Sequence, residues 1–388
     1  MEVTEVKRKF LEYFSGQGYQ PTDSAPLVIP ELHTAFVMSV GLLQLKAVLT
    51  QHAQDRNFPP FCMVQRCLRH YDIERVGMNN HLSFFEMAGA ISSGDKEQPQ
   101  VLATLLEFLT DIAGLKKDSL VFTIFAGGDF MNISLPADEV SIQVLLRLDV
   151  ARSRVFGRGP ETNLFGLPPR EEACGPAVEI FLDRGLQPSC PNPAACEPGC
   201  SCQRFVEIGT CVFLQYLKVD KGLEKLSKIY CEAAVGVERL AFARSNLPSI
   251  YDLGSLREVS TYLEQRQMIQ RSNPQQQQQQ AQICADHLRA SVFALAENAL
   301  PGRGGRAHVL RKLVRRLFAR TTFDKNGFMA SLPNVVKLVA ERNCHIMSWS
   351  QEQVHSVMDV LNSEARLFQE GLRMGTIDKL RYLKGPEP

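Results

Sequence analysis

The sequence predicts an α+β protein in which a mixed region of helices and strands is followed by an all-helical one. Three observations carry that prediction. A long β-prone run, Arg204-Phe205-Val206-Glu207-Ile208-Gly209-Thr210-Cys211-Val212-Phe213-Leu214-Gln215-Tyr216, follows a shorter one at 178–182, and the Pro, Gly and Cys between them suit a long loop joining antiparallel neighbours. From Ile283 onward, 285–298, 307–321, 332–343 and 352–373 carry apolar residues at three- and four-residue spacing, the period of one helical face. Between the two regions, Ser272-Asn273-Pro274 and the glutamine tract 275–280 read as an exposed low-complexity loop. The domains drawn from this pattern are 1–265, a Gln-rich linker or loop at 266–282, and 283–388.

In chain order, Val6, Phe10, Leu11 and Phe14 share one face of a predicted helix at 3–16, which Gly16-Gln17-Gly18 ends. A second apolar stretch, 102–112, reads as a helix, and Leu120-Val121-Phe122-Thr123-Ile124-Phe125 before Gly127-Gly128 as a strand. At Gly236-Val237-Glu238-Arg239-Leu240-Ala241-Phe242 a strand passes into a helix, with Arg239 at the helix start.

The chain has 388 residues, enough for about two to three domains, and 45% hydrophobic with 22% charged residues is ordinary for a globular protein. A formal net charge of +1 provides no global field for recruiting nucleic acid, so any polyanion site is local. No stretch approaches the roughly 20 apolar residues of a membrane span, and residues 1–7 lack the pattern of a signal peptide; the expectation is a cytoplasmic protein with no membrane partner. Most of the 11 cysteines stand singly in apolar runs, which suits reduced thiols. Cys190, Cys196, Cys200 and Cys202 form the one cluster; they could supply four thiolates to zinc, but their spacing lacks paired C-x-x-C knuckles, and a metal-free reduced loop is the expectation.

One segment concentrates chemistry. Gln65-Arg66-Cys67-Leu68-Arg69 leads through a short polar turn to Phe84-Phe85-Glu86-Met87. A guanidinium on a strand before a turn can hold a phosphate by forked, charge-assisted hydrogen bonds, and an aromatic ring on the returning strand can stack a nucleobase. Glu86 can accept from an exocyclic amine or pair with an arginine. On chemistry alone such a hairpin is a salt bridge beside a core; Arg239, a second arginine on a strand-to-helix junction, suggests instead a clamp on two ends of a triphosphate.

These residues resemble the class II aminoacyl-tRNA synthetases and, within them, the alanyl-tRNA synthetase family. The segments 65–69 and 84–87 with Gly94-Asp95 are similar to its motif 2, and Gly236-Val237-Glu238-Arg239 to its motif 3. Cys174-Gly175-Pro176 with Glu179-Ile180-Phe181, and Arg204-Phe205-Val206-Glu207-Ile208, are similar to strands lining its amino-acid pocket. Ala285-Asp286-His287-Leu288-Arg289 and the run 308–316 resemble the helical domain that follows. The resemblance implies a class II synthetase-like antiparallel β-sheet flanked by helices as the catalytic domain (1–265), then a helical domain like the family's tRNA-recognition domain (283–388). It implies a ligase that joins ATP and an amino acid into an aminoacyl adenylate. Arg66 or Arg69 would hold the α-phosphate and carboxylate, Phe84 or Phe85 with Glu86 the adenine, and Arg239 the γ-phosphate; Mg²⁺ is implied, with Glu207 its carboxylate.

Departures from the family cluster at the pocket. Glu232 stands where the resemblance implies an aspartate, four residues before Gly236, that pairs with the substrate ammonium. Gly166 replaces a tryptophan and Gly209-Thr210 a Trp-Asn pair, changes expected to open volume and alter which amino acid fits. The turn after Arg69 is short and lacks lysine, which weakens the case for tRNA as acceptor and favours a small molecule or carrier protein in a specialised pathway. The chain stops at Pro388, so the family's editing domain is expected to be absent. The basic stretch 303–320 could dock an acceptor stem or form only a solvated face. Cys174 is expected to be a packed small residue. Family members often self-associate, which leaves a homodimer open. Three readings follow: a ligase with a non-standard acceptor, a minimal alanine-tRNA ligase without editing, and a catalytically silent synthetase-like binding or regulatory protein.

Overall fold

The computed structural model describes residues 1–29, 35–41, 58–71, 73–78, 80–94, 97–166, 173–187, 189–219, 222–245, 247–269, 273–322 and 328–384. Asp72, Asn79, Asp95 and Ser272, each part of a segment singled out above, lie outside them. The chain forms two compact units: Met1–Ser24, Ser39–Gln65 and Glu86–Asn246 in one, Ala25–Met38, Arg66–Phe85 and Leu247–Pro388 in the other.

The first unit is built on a sheet. Its strands are β1 (Gln20–Pro21), β2 (Phe61–Leu68), β3 (Phe84–Ser93), β4 (Leu120–Phe125), β7 (Val155–Arg158), β8 (Leu164–Gly166), β9 (Ala173–Asp183), β10 (Phe205–Val219) and β11 (Gly222–Gly236); β5 (Gly128–Phe130) and β6 (Ile133–Leu135) make a separate hairpin. The order is β1-β2-β3-β11-β10-β9-β4-β7, with β8 on β9. The run β3-β11-β10-β9-β4 is antiparallel, and β9 and β10 are the neighbours their sequence suggested. The sheet as a whole is mixed, because β1 with β2 and β4 with β7 pair in parallel. Parallel neighbours need a crossover, and between β4 and β7 the chain supplies one with the helix Glu139–Arg147.

Helix Val3–Gly16 has the predicted bounds and buries Val6, Phe10 and Phe14; Phe10 stacks on Phe14 at 4.4 Å and meets Phe108 edge-on at 5.1 Å. The helix expected at 102–112 begins earlier, as Glu97–Glu107, and widens into a π-helical turn at Phe108–Ile112. The helix Val237–Ser245 follows directly from β11, as the Gly236 junction predicted.

The second unit is helical, with long helices Gly254–Gln265, Pro274–Ala296, Gly305–Arg320, Phe328–Arg342 and Gln351–Arg373. The loop expected at the glutamine tract is instead the first turns of Pro274–Ala296. The Asn273 side chain accepts from Gln276 N at 2.9 Å, and Pro274 stands at the first helical position, where its missing N–H costs nothing. Glutamine is a good helix former, so low complexity here marks exposure and not a break. Nor does the division follow 266–282. Leu27, Phe36, Leu68, Ile73 and Phe84 bury in the helical core with Phe293, Leu313 and Val336, which draws the early segments into this unit.

That core holds a polar chain. Asp286 accepts from Ser83 N at 2.8 Å and from the Ser83 hydroxyl; His287 Nδ1 lies 3.0 Å from Asp286 Oδ2, and Arg316 Nε donates to His287 Nε2 at 3.0 Å. Burial pushes the His287 pKa down to about 4, so the ring is neutral near pH 7, donating from Nδ1 and accepting at Nε2. The basic stretch 303–320 divides, with Arg303 exposed and Lys312 39% exposed at one extreme and two arginines turned fully inward at the other. Arg316 and Arg320 are buried and donate to the carbonyls of Ile73 and Lys384, and of Tyr382 and Leu383, while Arg311 pairs with Glu364 at 2.7 Å. Backbone carbonyls of Tyr382, Leu383 and Lys384 thus take up guanidinium hydrogens of Arg316 and Arg320.

Candidate active site

In the first unit, polar groups gather on one face of the sheet where β9, β10 and β11 run side by side. Cross-strand partners share a face, so the register places Thr123, Glu179, Thr210 and Ala234 in one row, and Val212 and Glu232 in another on the same side. Glu207 faces Phe181, two residues from Glu179, and joins that face only because the register shifts between Glu207 and Gly209. In regular pleating, residues three apart point to opposite sides; the bulge turns Glu207 and Thr210 the same way. It also explains Gly209: a Cβ there would meet Ala234 O at 2.8 Å, so no larger residue fits this backbone.

Arg239, in the first turn after β11, donates from Nη1 to Glu207 Oε2 at 3.0 Å and to Glu207 O at 3.2 Å. The pair stays partly open to solvent, with side-chain exposures of 25% and 38%, so an incoming anion can reach the guanidinium. Glu179 is more enclosed. Burial raises its pKa to about 7, and the Glu207 charge adds to the rise; the hydrogen bond that Thr123 Oγ1 donates at 3.0 Å, together with the Arg239 and Arg158 charges, opposes it. Asn163 Nδ2 holds the Thr123 hydroxyl at 3.1 Å and Ala177 O at 2.9 Å. Two carboxylates, one paired with Arg239 and one whose pKa is raised to about 7, therefore sit together on the sheet. In the sequence Glu179 stands out only as part of a strand, not as a site residue. Its signal was the pairing of its strand with that of Glu207, legible only once the register is known.

The remaining pocket residues divide. Glu232 is 1% exposed, in the middle of β11, and Thr210 Oγ1 donates to Val178 O at 3.1 Å. Gly236 ends β11 with the Arg239 side chain in ordinary contact. Gly166 pairs with Cys174, three residues along β9 from the row of Val212 and roughly 10 Å away. A Cβ at Gly166 would lie 2.9 Å from Lys218 Nζ, the movable end of a long side chain. Cys174 is fully buried, in keeping with a packed small residue.

Glu86 does not face an open cleft. Its carboxylate receives Lys7 Nζ at 2.8 and 3.0 Å, and its backbone N–H donates to Glu238 Oε2 at 2.9 Å. At 2% exposure it ties β3 to the helices Val3–Gly16 and Val237–Ser245.

In the second unit, Arg66 Nε donates to Glu297 Oε1 at 2.9 Å, and Glu297 Oε2 accepts from Leu27 N at 2.5 Å. Arg69 Nε donates to Met38 O at 2.9 Å, with its guanidinium 5.0 Å from the centre of the Phe85 ring. Phe84 is fully buried, stacked on Phe293 at 4.3 Å with Arg289 4.9 Å from its ring centre, which leaves it no open face for a base. Of the two rings, half-buried Phe85 keeps that capacity.

A mixed sheet with an arginine at its last strand-to-helix junction, and a helical unit after it, defines the class: the chain belongs to the family of tRNA synthetases class II (A), whose model matches residues 5–382. Among curated relatives it is similar to alanine–tRNA ligases. That of Treponema denticola is 32% identical over 81% of this chain and 52% of its own, that of Carboxydothermus hydrogenoformans 30% over 97% and 42%, and that of Leptospira borgpetersenii 27% over 98% and 42%. The chain thus spans about half or less of the length of these relatives. Among solved structures, apo S. aureus histidyl-tRNA synthetase aligns at 15% identity with a TM-score of 0.38, covering 62% of this chain and 65% of that one. No helix among the described residues is long and apolar enough to cross a membrane.

Proposed function

We propose that this protein activates an amino acid with ATP, forming an aminoacyl adenylate and pyrophosphate. The observation that carries the reading is the partly open Arg239–Glu207 pair beside Glu179, in a chain that the family's model matches over residues 5–382. The amino-acid carboxylate attacks the α-phosphorus, a P–O bond forms, the bond from the α-phosphorus to the α,β-bridging oxygen breaks, and pyrophosphate leaves. Arg239 receives the far phosphates, and Arg66 and Arg69 are the candidates for the α-phosphate and the carboxylate. Guanidinium groups fixed before the reaction stabilise the negative charge that shifts onto the leaving oxygens. Phe85 offers a ring for adenine.

Glu179 and Glu207 suit Mg²⁺, which prefers a few carboxylate oxygens and keeps several waters. Bound with ATP, Mg²⁺ would neutralise phosphate charge. Glu232 is the carboxylate for the substrate ammonium.

The relatives bear the name alanine–tRNA ligase, which makes alanine and tRNA the first substrate and acceptor to test; the non-standard acceptor rests on the short turn after Arg69 alone. The experiment is pyrophosphate exchange over a panel of amino acids, followed by charging of total tRNA with any acid that exchanges. Exchange with charging supports a tRNA ligase, and exchange without charging supports another acceptor. ATP binding without exchange for any acid refutes activation and favours a binding or regulatory protein.

A further inference from the structure

The loop joining β9 to β10, residues 184–204, has almost no apolar content with which to hold itself. Its one large aliphatic side chain, Leu186, is 58% exposed. What it gathers inside is sulfur: the Sγ atoms of Cys190, Cys196, Cys200 and Cys202 all lie within 4.8 Å of one another. Cys190 and Cys200 are 3.9 Å apart, and Cys196 and Cys202 are 3.6 Å apart. A tetrahedral zinc site with Zn–S bonds of about 2.3 Å has S···S edges of about 3.8 Å, and both distances fall beside that value.

The backbone is turned to make this shell. Cys190 N donates to Gln187 O and Cys200 N to Glu197 O, each at 3.0 Å. Gly199 takes φ +99°, a conformation that glycine adopts without cost, and it aims the Cys200–Cys202 arm back at the other two sulfurs. The spacing C-x₅-C-x₃-C-x-C has no knuckle of the common kind; the turns assemble the four sulfurs instead.

Charge around the shell agrees. Four thiolates with Zn²⁺ carry a net charge of about −2. Arg204 reaches the Cys196 sulfur while its fork holds Asp183 at 2.7 Å through both Nε and Nη2, and Arg158 holds Glu197 and Pro198 O at 3.2 Å from the other side. Donors of this kind orient and stabilise a thiolate site.

We propose that Cys190, Cys196, Cys200 and Cys202 bind one zinc ion as a structural tetrathiolate, releasing four protons as it binds. The ion closes the loop at its base, where Asp183 pairs with Phe205, two residues before Glu207. It stands apart from the reaction and keeps the start of β10 in register.

The test uses the full chain purified without chelator. Elemental analysis should find about one zinc per chain, and a thiol reagent should release it as about four thiols are consumed. Cobalt exchanged into the reduced chain should give ligand-field and sulfur-to-cobalt charge-transfer bands of a tetrahedral thiolate site. The double variant Cys200→Ser/Cys202→Ser should lose the metal, and Cys344→Ser, at an exposed thiol elsewhere, should keep it. Should the double variant fail to fold, the cobalt spectrum of the unaltered chain decides. A reduced chain that holds no zinc and develops no charge-transfer band overturns the proposal, as does a mass four hydrogens low from two disulfides within the cluster.

Discussion

Raising the pH from about 6 to about 8 is expected to tighten binding of Mn²⁺–ATP about tenfold through Glu179. Its pKa of about 7 means that about one molecule in ten is ionised there at the lower pH and about nine in ten at the higher. Only the ionised carboxylate can ligate a cation. Stability moves the other way in the free protein. Because the folded pKa lies above the ordinary 4.5, ionising Glu179 costs stability as pH rises from 4.5 through about 7, by up to about 3 kcal/mol. Glu179→Gln removes the titration: cation affinity should be weak and lack the tenfold rise, and the metal-free variant should be the more stable protein near pH 8. Wild type and variant share the titration of the nucleotide's own phosphates, so their difference reports Glu179. Thr123→Val, which removes a hydrogen bond that lowers the pKa, should move the midpoint upward. Calorimetric titration across pH measures affinity, and denaturant melts measure stability. Parallel pH profiles for wild type and Glu179→Gln would refute the reasoning.

Arg239→Ala should slow pyrophosphate exchange by about 10²–10³-fold with unchanged circular dichroism, the cost of losing one fixed donor to developing charge; a loss under roughly threefold would remove Arg239 from the mechanism. Phe84→Ala should cost about 3–5 kcal/mol in a denaturant melt, whereas Phe85→Ala should spare stability and weaken ATP binding by about 1–3 kcal/mol; the reverse pattern would exchange their roles. Below its ordinary pKa of 6.5, buried neutral His287 opposes folding, since the unfolded ring takes a proton that the folded one refuses until about pH 4. The second unit should lose up to about 3 kcal/mol over that window, and hydrogen exchange in Pro274–Ala296 should follow it; in His287→Gln this component should vanish.

Local patterns were readable where one residue's neighbours in sequence are also its neighbours in space. Helix Val3–Gly16, strand Leu120–Phe125 and the junction at Gly236 stand where spacing and β-propensity put them, because a helical face or a pleat is set within a few residues. The glutamine tract is helical and not a loop because the Asn273 cap starts a helix there, which composition does not reveal. Phe84 and Phe85 are alike in sequence, and only the packing of Phe293 tells them apart.

By itself the sequence determined the class: the order of an arginine-bearing strand pair, a short and a long β-prone run, a motif ending in Arg239 and a helical remainder. Tertiary structure decided which of those residues are available. Glu86 is paired with Lys7, and Arg316 and Arg320 are bound to distant carbonyls. It also put Glu179 beside Glu207 through a single bulge and brought four irregularly spaced cysteines to one point. The physical reason is common to all of these. Ionisation, pairing and ligation depend on atoms a few ångströms away, and those atoms come from segments that no local period connects.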